Sequence, residues 1–454
     1  MNRRRLAAVA VMLLTSCAPV PQDPPPDRAM GLQSALPPMK TFSNAPVPVP
    51  TRANEEIARD FLDLAFRMES GRTVPVMTRF EGPISVRVTG DVPSSLVPDL
   101  RALLARLRTE AGIDIFLTGA EDASITIEAV PSAVLQRAVP RAACFVVPRI
   151  DSWGDFLVAR RTPQVDWTTL SRRDRAAIFV PSDVAPQEVR DCMHEELAQA
   201  LGPLNDLYRL PDSVFNDDNI HAVLTPFDML ILRAYYAPEL RNGMSRGEVA
   251  ARLPAILARL NPAGQGRGAT PQNDTTRDWI DAIEIALASS ATPARRRTAA
   301  RTAVRLADAF GWGGAREGFA YYAHGRLQVG FAPGEALTAF RAAARAYGRS
   351  PTTRIHSAHV AVQLAAFALS TGDAAETLSI VRQAKPAAAE YQNAALLATL
   401  LMFEAEALDL LGRQEEAEAT RLDSLGWARY GFGSERNVAA RLREIAALRP
   451  AIRS

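Results

Sequence analysis

The chain is predicted to be α+β and to fall into two parts: a mixed α/β domain over residues 53–260 and an all-helical domain over 276–454. Three observations lead there. Up to residue 260, short segments that alternate apolar and polar residues are interspersed with longer ones whose apolar residues recur at helical spacing. Residues 261–275 are rich in Gly, Pro, Asn and Gln and read as a linker. Beyond them strand signals vanish, and an Ala-, Leu- and Arg-rich helical period continues. Bulk properties agree: 454 residues with 48% apolar content suffice for two or three domains with full cores. A net charge of +2, from 52 basic and 50 acidic residues, gives no electrostatic footprint for nucleic acid.

Residues 1–16 open with Arg3-Arg4-Arg5, continue with nine uninterrupted apolar residues (6–14), and end on small residues before Cys17. A basic head, a short greasy core and small residues before a cut are the order of a secretory signal. That core is too short to span a bilayer. Leu14-Thr15-Ser16-Cys17 resembles the lipobox of bacterial lipoproteins. The resemblance implies a mature chain that starts at Cys17, on the periplasmic face of a bacterial envelope, held to the membrane by lipid alone. Ala18, where Asp would favour retention at the inner membrane, implies the outer membrane. The alternative is a plain secreted protein with a coincidental cysteine. Residues 17–52 follow, and 18–50 hold ten prolines. Such a stretch buries no core and reads as an extended, semi-stiff tether.

Ile57, Phe61, Leu64, Ala65 and Met68 stand at helical spacing and predict a helix over residues 54–68. Residues 84–88 alternate as a half-buried strand. Ser94 or Ser95 can cap a helix to about Ala111. Residues 113–117, 125–130, 144–147 and 177–180 predict further strands. Pro186, a good first-turn residue, and Gly202, a good stop, bracket a long helix. In the helical part, Gly334, Gly372 and Gly412 each lie in a short turn after an apolar helix, 38 and 40 residues apart. Helix pairs at this spacing resemble tetratricopeptide repeats, loosely; an ordinary helical bundle is the alternative. The longest later apolar run, 394–403, is a buried helix by length.

Of the three cysteines, Cys17 is taken by the anchor. Cys144 and Cys192 then form an even pair in an oxidising compartment, which predicts a disulfide from a strand to the start of the long helix; two buried thiols are the alternative.

That helix carries Cys192-Met193-His194-Glu195-Glu196-Leu197-Ala198-Gln199-Ala200-Leu201-Gly202-Pro203-Leu204-Asn205-Asp206. The run resembles the metzincin signature, in which two histidines one turn apart and a third after a glycine hold zinc. A frame starting at His194 fails, because the next ligand position is Ala198. A frame keeping Gly202 in register puts Glu195, Gln199 and Asn205 at the ligand positions and Glu196 at the general base. Asp212-Ser213-Val214-Phe215-Asn216-Asp217 resembles the turn below the metal, and Leu224-Thr225-Pro226-Phe227-Asp228 the capped start of the last helix. Zinc prefers imidazole, thiolate or carboxylate, and the register offers one carboxylate and two amides. No metal or other cofactor is therefore expected. The resemblance implies a degenerate site of Glu195, Glu196, Gln199, Asn205 and Asp206, more a polar network than a catalytic centre. An oxygen-ligand site using Asp206 remains the weaker option.

Residues 66–72, 78–83, 195–202 and 213–218 also resemble an uncharacterised bacterial family known only as a domain of unknown function, grouped with zincin-like folds. The likeness covers about residues 55–250 and implies no activity. Other polar residues carry less. Asp218, Asn219 and His221 fit a solvated loop. Cys192 and His194 face different directions on a helix and make no nucleophile–base pair. His356 and His359 fit packing, and Arg295, Arg296, Arg297, Arg301 and Arg305 a solvated helix face. The expectation is a non-catalytic binding or scaffold protein, whose partner is a protein or envelope component met by the cleft and the helical surface. The rival is a metal-dependent, peptidase-like hydrolase with Glu196 as general base.

Overall fold

The computed structural model describes residues 36–42, 50, 52–140, 142–269 and 274–450. The expected signal segment, Cys17 and much of the proline-rich segment lie outside the described residues. The chain divides into two compact units, Asn44–Gln272, and Asn273–Ser454 together with Met1–Ser43. Among the described residues no helix is long and apolar enough to cross a membrane.

The first unit opens with α1 (Asn54–Phe66), then β1 (Ile84–Gly90), α2 (Leu96–Glu110), β2 (Ile115–Leu117), β3 (Ile125–Val130), α3 (Ser132–Ala138), β4 (Phe145–Pro148), α4 (Trp153–Ala159) and β5 (Ala176–Pro181). It closes with α5 (Pro186–Leu201), α6 (Pro226–Tyr235) and α7 (Arg246–Leu260). The five strands form one sheet in the order β2-β1-β3-β5-β4. All neighbours are parallel except β4, which runs antiparallel to β5 with Phe145 opposite Phe179. Strand alternation sorts the side chains. Ile84, Val86, Ile125, Ile127, Ala176 and Ile178 join the main core with α1, α2, α5 and α6. The opposite face is covered over β4, β5 and the end of β3, where Val130 joins a cluster in which Phe145, Trp153, Phe156 and Phe179 pack ring on ring. This is why β5 is buried throughout while Ser85 and Arg87 of β1 stay half-buried.

Element ends moved for local reasons. The first helix stops at Phe66 rather than Met68, because the chain folds back at once: Met68 N–H donates to Arg72 O (2.9 Å) and Val74 N–H to Phe66 O (2.9 Å). Gly71, at φ 80°, permits that turn. The second strand begins at Ile115 rather than Ile113, since Ile113 N–H still closes the end of α2 on Leu107 O (3.2 Å).

The second unit is helical: α8 (Arg277–Leu287), α9 (Pro293–Phe310), α10 (Gly314–Gln328), α11 (Pro333–Tyr347), α12 (Arg354–Ser370), α13 (Ala374–Glu390), α14 (Ala394–Leu410), α15 (Gln414–Phe432) and α16 (Glu435–Ala446). Helices adjacent in sequence pack pairwise from α8 to α16. The turns at Gly372 and Gly412 lead into α13 and α15, whereas Gly334 lies inside the first turn of α11 rather than in the turn before it. α14 packs against α12, α13, α15 and α16, and is buried along most of its length. Its two buried glutamates are paired: Glu404 with Arg382 (2.8 Å) and Lys385, Glu406 with Arg421 (3.3 Å) and Arg449 (3.0 Å). His356 is buried against the Tyr347 ring, a packing role. The arginines of α9 lie along that helix, with Arg297 over the Phe331 ring and Arg296 on Ala286 O.

Candidate functional site

α5 carries the motif and is fixed at three places. Cys192, in its second turn rather than at its start, is disulfide-bonded to Cys144 with Cα atoms 5.9 Å apart. The bridge fastens the edge strand β4 beside α5. One turn along the helix from Cys192, and two residues along the strand from Cys144, the Glu196 carboxyl accepts a hydrogen bond from Val146 N–H. At the C-terminal end, the buried Arg173 guanidinium donates to Gln199 O (2.6 Å), Ala200 O (2.7 Å) and Gly202 O (2.5 Å). Among the described residues no carboxylate pairs with it; the last carbonyls of α5 take that place, as a helix C-terminus favours a cation.

The loop after α5 is pinned to α1 by an ion network. Arg209 donates to Asp60 (3.0 Å) and Asp63 (2.7 Å), and Arg52 bridges Asp60 (2.9 Å) and Asp212. Within this frame the metzincin-register positions are committed elsewhere. Asn205 is buried, and its amide donates to Asp63 O (3.0 Å). The Gln199 amide donates to Asp206 Oδ2 (3.4 Å). His194 is buried in the core, where its Nδ1 accepts from Leu224 N–H (3.1 Å). Burial holds His194 well below the ordinary imidazole value, with Arg190 and Arg106 adding to the effect, so the ring is neutral. Asp228 joins the expected turn to the last helix: it accepts from Ser213 Oγ (2.5 Å), Val214 N (3.1 Å) and Thr225 N (2.7 Å), the last completing a capping box.

The zinc that the resemblance implies does not fit these residues. Two of the three register positions present neutral amides, whose oxygens are weak ligands for zinc, and their NH2 groups are held on Asp206 and on Asp63 O. The nearby imidazole points its Nδ1 lone pair at a backbone N–H. Among the described residues no three His, Cys, Asp or Glu side chains converge in a metal-holding group.

What the fold does assemble is a carboxylate cluster. Glu195, Glu196 and Asp206 are joined by Glu69, from the turn after α1, and by Asp217. Glu195 is pushed up to about 7, by burial first and then by Glu69 and Asp217. Glu196 lies well above the carboxylate range, through burial, Glu195 and Glu69. Asp206 is raised likewise, and its hydrogen bond with Glu69 favours the protonated form. One turn before Glu195, Asp191 is raised to about 8, chiefly by burial. Glu69 was not singled out as a site residue. Only a tight turn brings it to α5, and no spacing along the chain signals that. The expected loop residue His221 is held by Pro211 O (2.8 Å).

The cluster has a pH signature. A carboxyl whose pKa is raised by folding keeps a proton that the unfolded chain releases; its stabilising contribution is lost as pH rises through the folded value. His194 acts oppositely, but only below its ordinary 6.5. From pH 6.5 to about 8, the values of Glu195 and Asp191 therefore make stability fall. The fall is on the order of 2 kcal/mol, less after solvent screening, since the Asp191 side chain is 35% exposed. Denaturant midpoints across this window should drop for the wild type and drop less steeply for Glu195→Gln with Asp191→Asn, in which Glu196 and Asp206 alone keep raised values. A flat wild-type profile would contradict the assignment.

Fold and site together define a mixed α/β domain with a carboxylate-rich helix beside an antiparallel edge strand, followed by a helical unit. Residues 54–255 match the model of a family described as "Protein of unknown function (DUF2927)", and a domain of that family spans this part of the chain. Searches among curated proteins and among solved structures found no match.

Proposed function

We propose that the chain is a lipid-anchored envelope protein that binds a partner rather than cleaving one, built on a metzincin-like domain without its metal grip and a tetratricopeptide-like helical array. The observation that carries this reading is the donor set at the register positions, one carboxylate (Glu195) and two neutral amides (Gln199 and Asn205), with Asn205 buried and held on Asp63 O. Neutral amide oxygens are weak ligands for zinc, which prefers imidazole, thiolate or carboxylate, and without a tightly held dication no bound water is acidified at neutral pH. Glu196 supports the same view. Burial raises its carboxyl well above the usual value, which favours the acid form over the base that hydrolysis would need. The metzincin-like part of the reading draws further support from the long helix beside an antiparallel edge strand, the Ser213–Asp228 turn and the capped α6.

The cluster of Glu69, Glu195, Asp206 and Asp217 favours a cationic group on the partner. In the helical unit a shallow cleft lined by Gln363, Phe403, Arg441 and Glu444 offers a second, mixed surface. Stacked helix pairs bury one another and leave such surfaces free for partners. Crosslinking in intact envelopes should recover a defined partner that is lost on Glu195→Lys with Asp206→Lys. A peptide-hydrolysing activity abolished by Glu196→Gln would overturn the proposal.

The anchor has its own test. Cys17→Ser should move the chain from the membrane pellet to the soluble fraction. A wild-type chain already soluble would remove the lipid.

A further inference from the structure

Residues 36–42 fall in the segment that composition reads as a free tether, yet they lie on α15. Pro37 and Pro38 hold them extended, since proline fixes its own φ and disfavours helix in the residue before it. The Arg429 guanidinium donates to Leu36 O (3.1 Å) and Pro37 O (2.8 Å). Lys40 N–H donates to Gly426 O (3.1 Å), its ammonium pairs with Asp423, and it lies 5.7 Å from the Trp427 ring centroid. Phe42 stacks on Trp427 with centroids 4.5 Å apart. Asp423, Gly426 and Trp427 share one helical face by spacing. Gly426 is the contact that only a glycine allows: a Cβ there would sit 2.8 Å from Lys40 Cγ and 3.2 Å from Pro38 O. A glycine inside a helix has low intrinsic propensity, so the close approach gives it a reason.

We propose that this face of α15 is a receptor for an extended proline-containing peptide with a basic–aromatic tail, filled in this chain by its own residues 36–42. Each recognition element has its counterpart: one arginine Nη1 shared by two carbonyls, a carboxylate and a ring for the lysine, and a ring for the phenylalanine. Aromatic-lined surfaces take proline-rich segments because little chain entropy is lost on docking. Joined in cis, the segment has an effective concentration of order millimolar, so modest intrinsic affinity keeps it seated. The proline-rich segment is thus fastened at its middle, and an outside peptide of the same chemistry must displace it.

Trypsin cleavage after Lys40 reads the docking directly in the full chain. Phe42→Ala, which alters only the strap, and Gly426→Ala, which obstructs it, should each speed that cut at least ten-fold, with helical content unchanged. In addition, a fluorescein-labelled peptide of residues 36–42 should bind the Lys40→Ala, Phe42→Ala chain at least ten-fold more tightly than the wild type. That binding should be lost when Trp427→Ala is added. Equal cleavage rates in all three chains, or peptide binding indifferent to Trp427→Ala, would overturn the proposal.

Discussion

Arg173→Ala should destabilise the α/β unit by about 4 kcal/mol, since each buried acceptor stripped of its donor costs about 1–3 kcal/mol. Ala200 O and Gly202 O lose the guanidinium, Gln199 O is left with Gly202 N–H alone (3.2 Å), and the Thr78 hydroxyl loses a contact at 3.2 Å. The ring of Trp167, 4.7 Å from the guanidinium carbon, loses its stacking partner. Burial without a carboxylate already lowers the Arg173 pKa from its usual value, so the site tolerates this charge only through those carbonyls. Arg173→Lys keeps the charge but not the planar fork, and should recover less than half of the loss. Hydrogen exchange should show residues 198–206 opening first, carrying Asn205 and Asp206 with them. Denaturant unfolding of both variants checks this; a cost below about 1 kcal/mol for the alanine would mean that water replaces the guanidinium.

Removing the disulfide with Cys144→Ala and Cys192→Ala should cost a similar amount, for a different reason. The bridge closes a loop of 48 residues, and the lost constraint on the unfolded chain is worth about 4 kcal/mol on the chain-entropy view. The native state changes as well. β4 has a strand neighbour on one side only, β5, and the bridge is its covalent link to α5. Without it the Val146 N–H should drift from Glu196, which would lose the one contact that lowers its pKa. Infrared or NMR titration of Glu196 should then show a further rise. A double variant as stable as the wild type, with its β4 amides equally protected, would contradict this role.

Much of the framework was legible because it rests on local signals. The long helix was read to within a residue at both ends, from Pro186 and Gly202, and Thr225 with Asp228 proved to be a full capping box. What was missed depends on tertiary context. α3 and α4 are seven residues each, too short for a helical period to stand out, and α4 leaves Leu157 and Val158 exposed. α7 contains Pro254, which interrupts the pattern, and is held by packing against α1 and α6. At the site, Glu195, Glu196 and Gln199 stand on α5 as the helix reading places them, but Glu69 arrives through a turn and Arg173 through a loop. A lone arginine in a loop carries no pattern that distinguishes a helix-capping guanidinium from a solvated one. The docked residues 36–42 were hidden for the opposite reason: proline-rich composition signals an extended chain and says nothing of what it lies against.

Whether the α5 residues bind or cleave comes down to whether Glu195, Gln199 and Asn205 can hold a dication. Elemental analysis of the full chain, expressed with zinc and then gel-filtered, asks that question most directly. No stoichiometric zinc is the expected result. One equivalent of zinc per chain, lost on Glu195→Ala, would contradict it and restore Glu196 to a hydrolytic role.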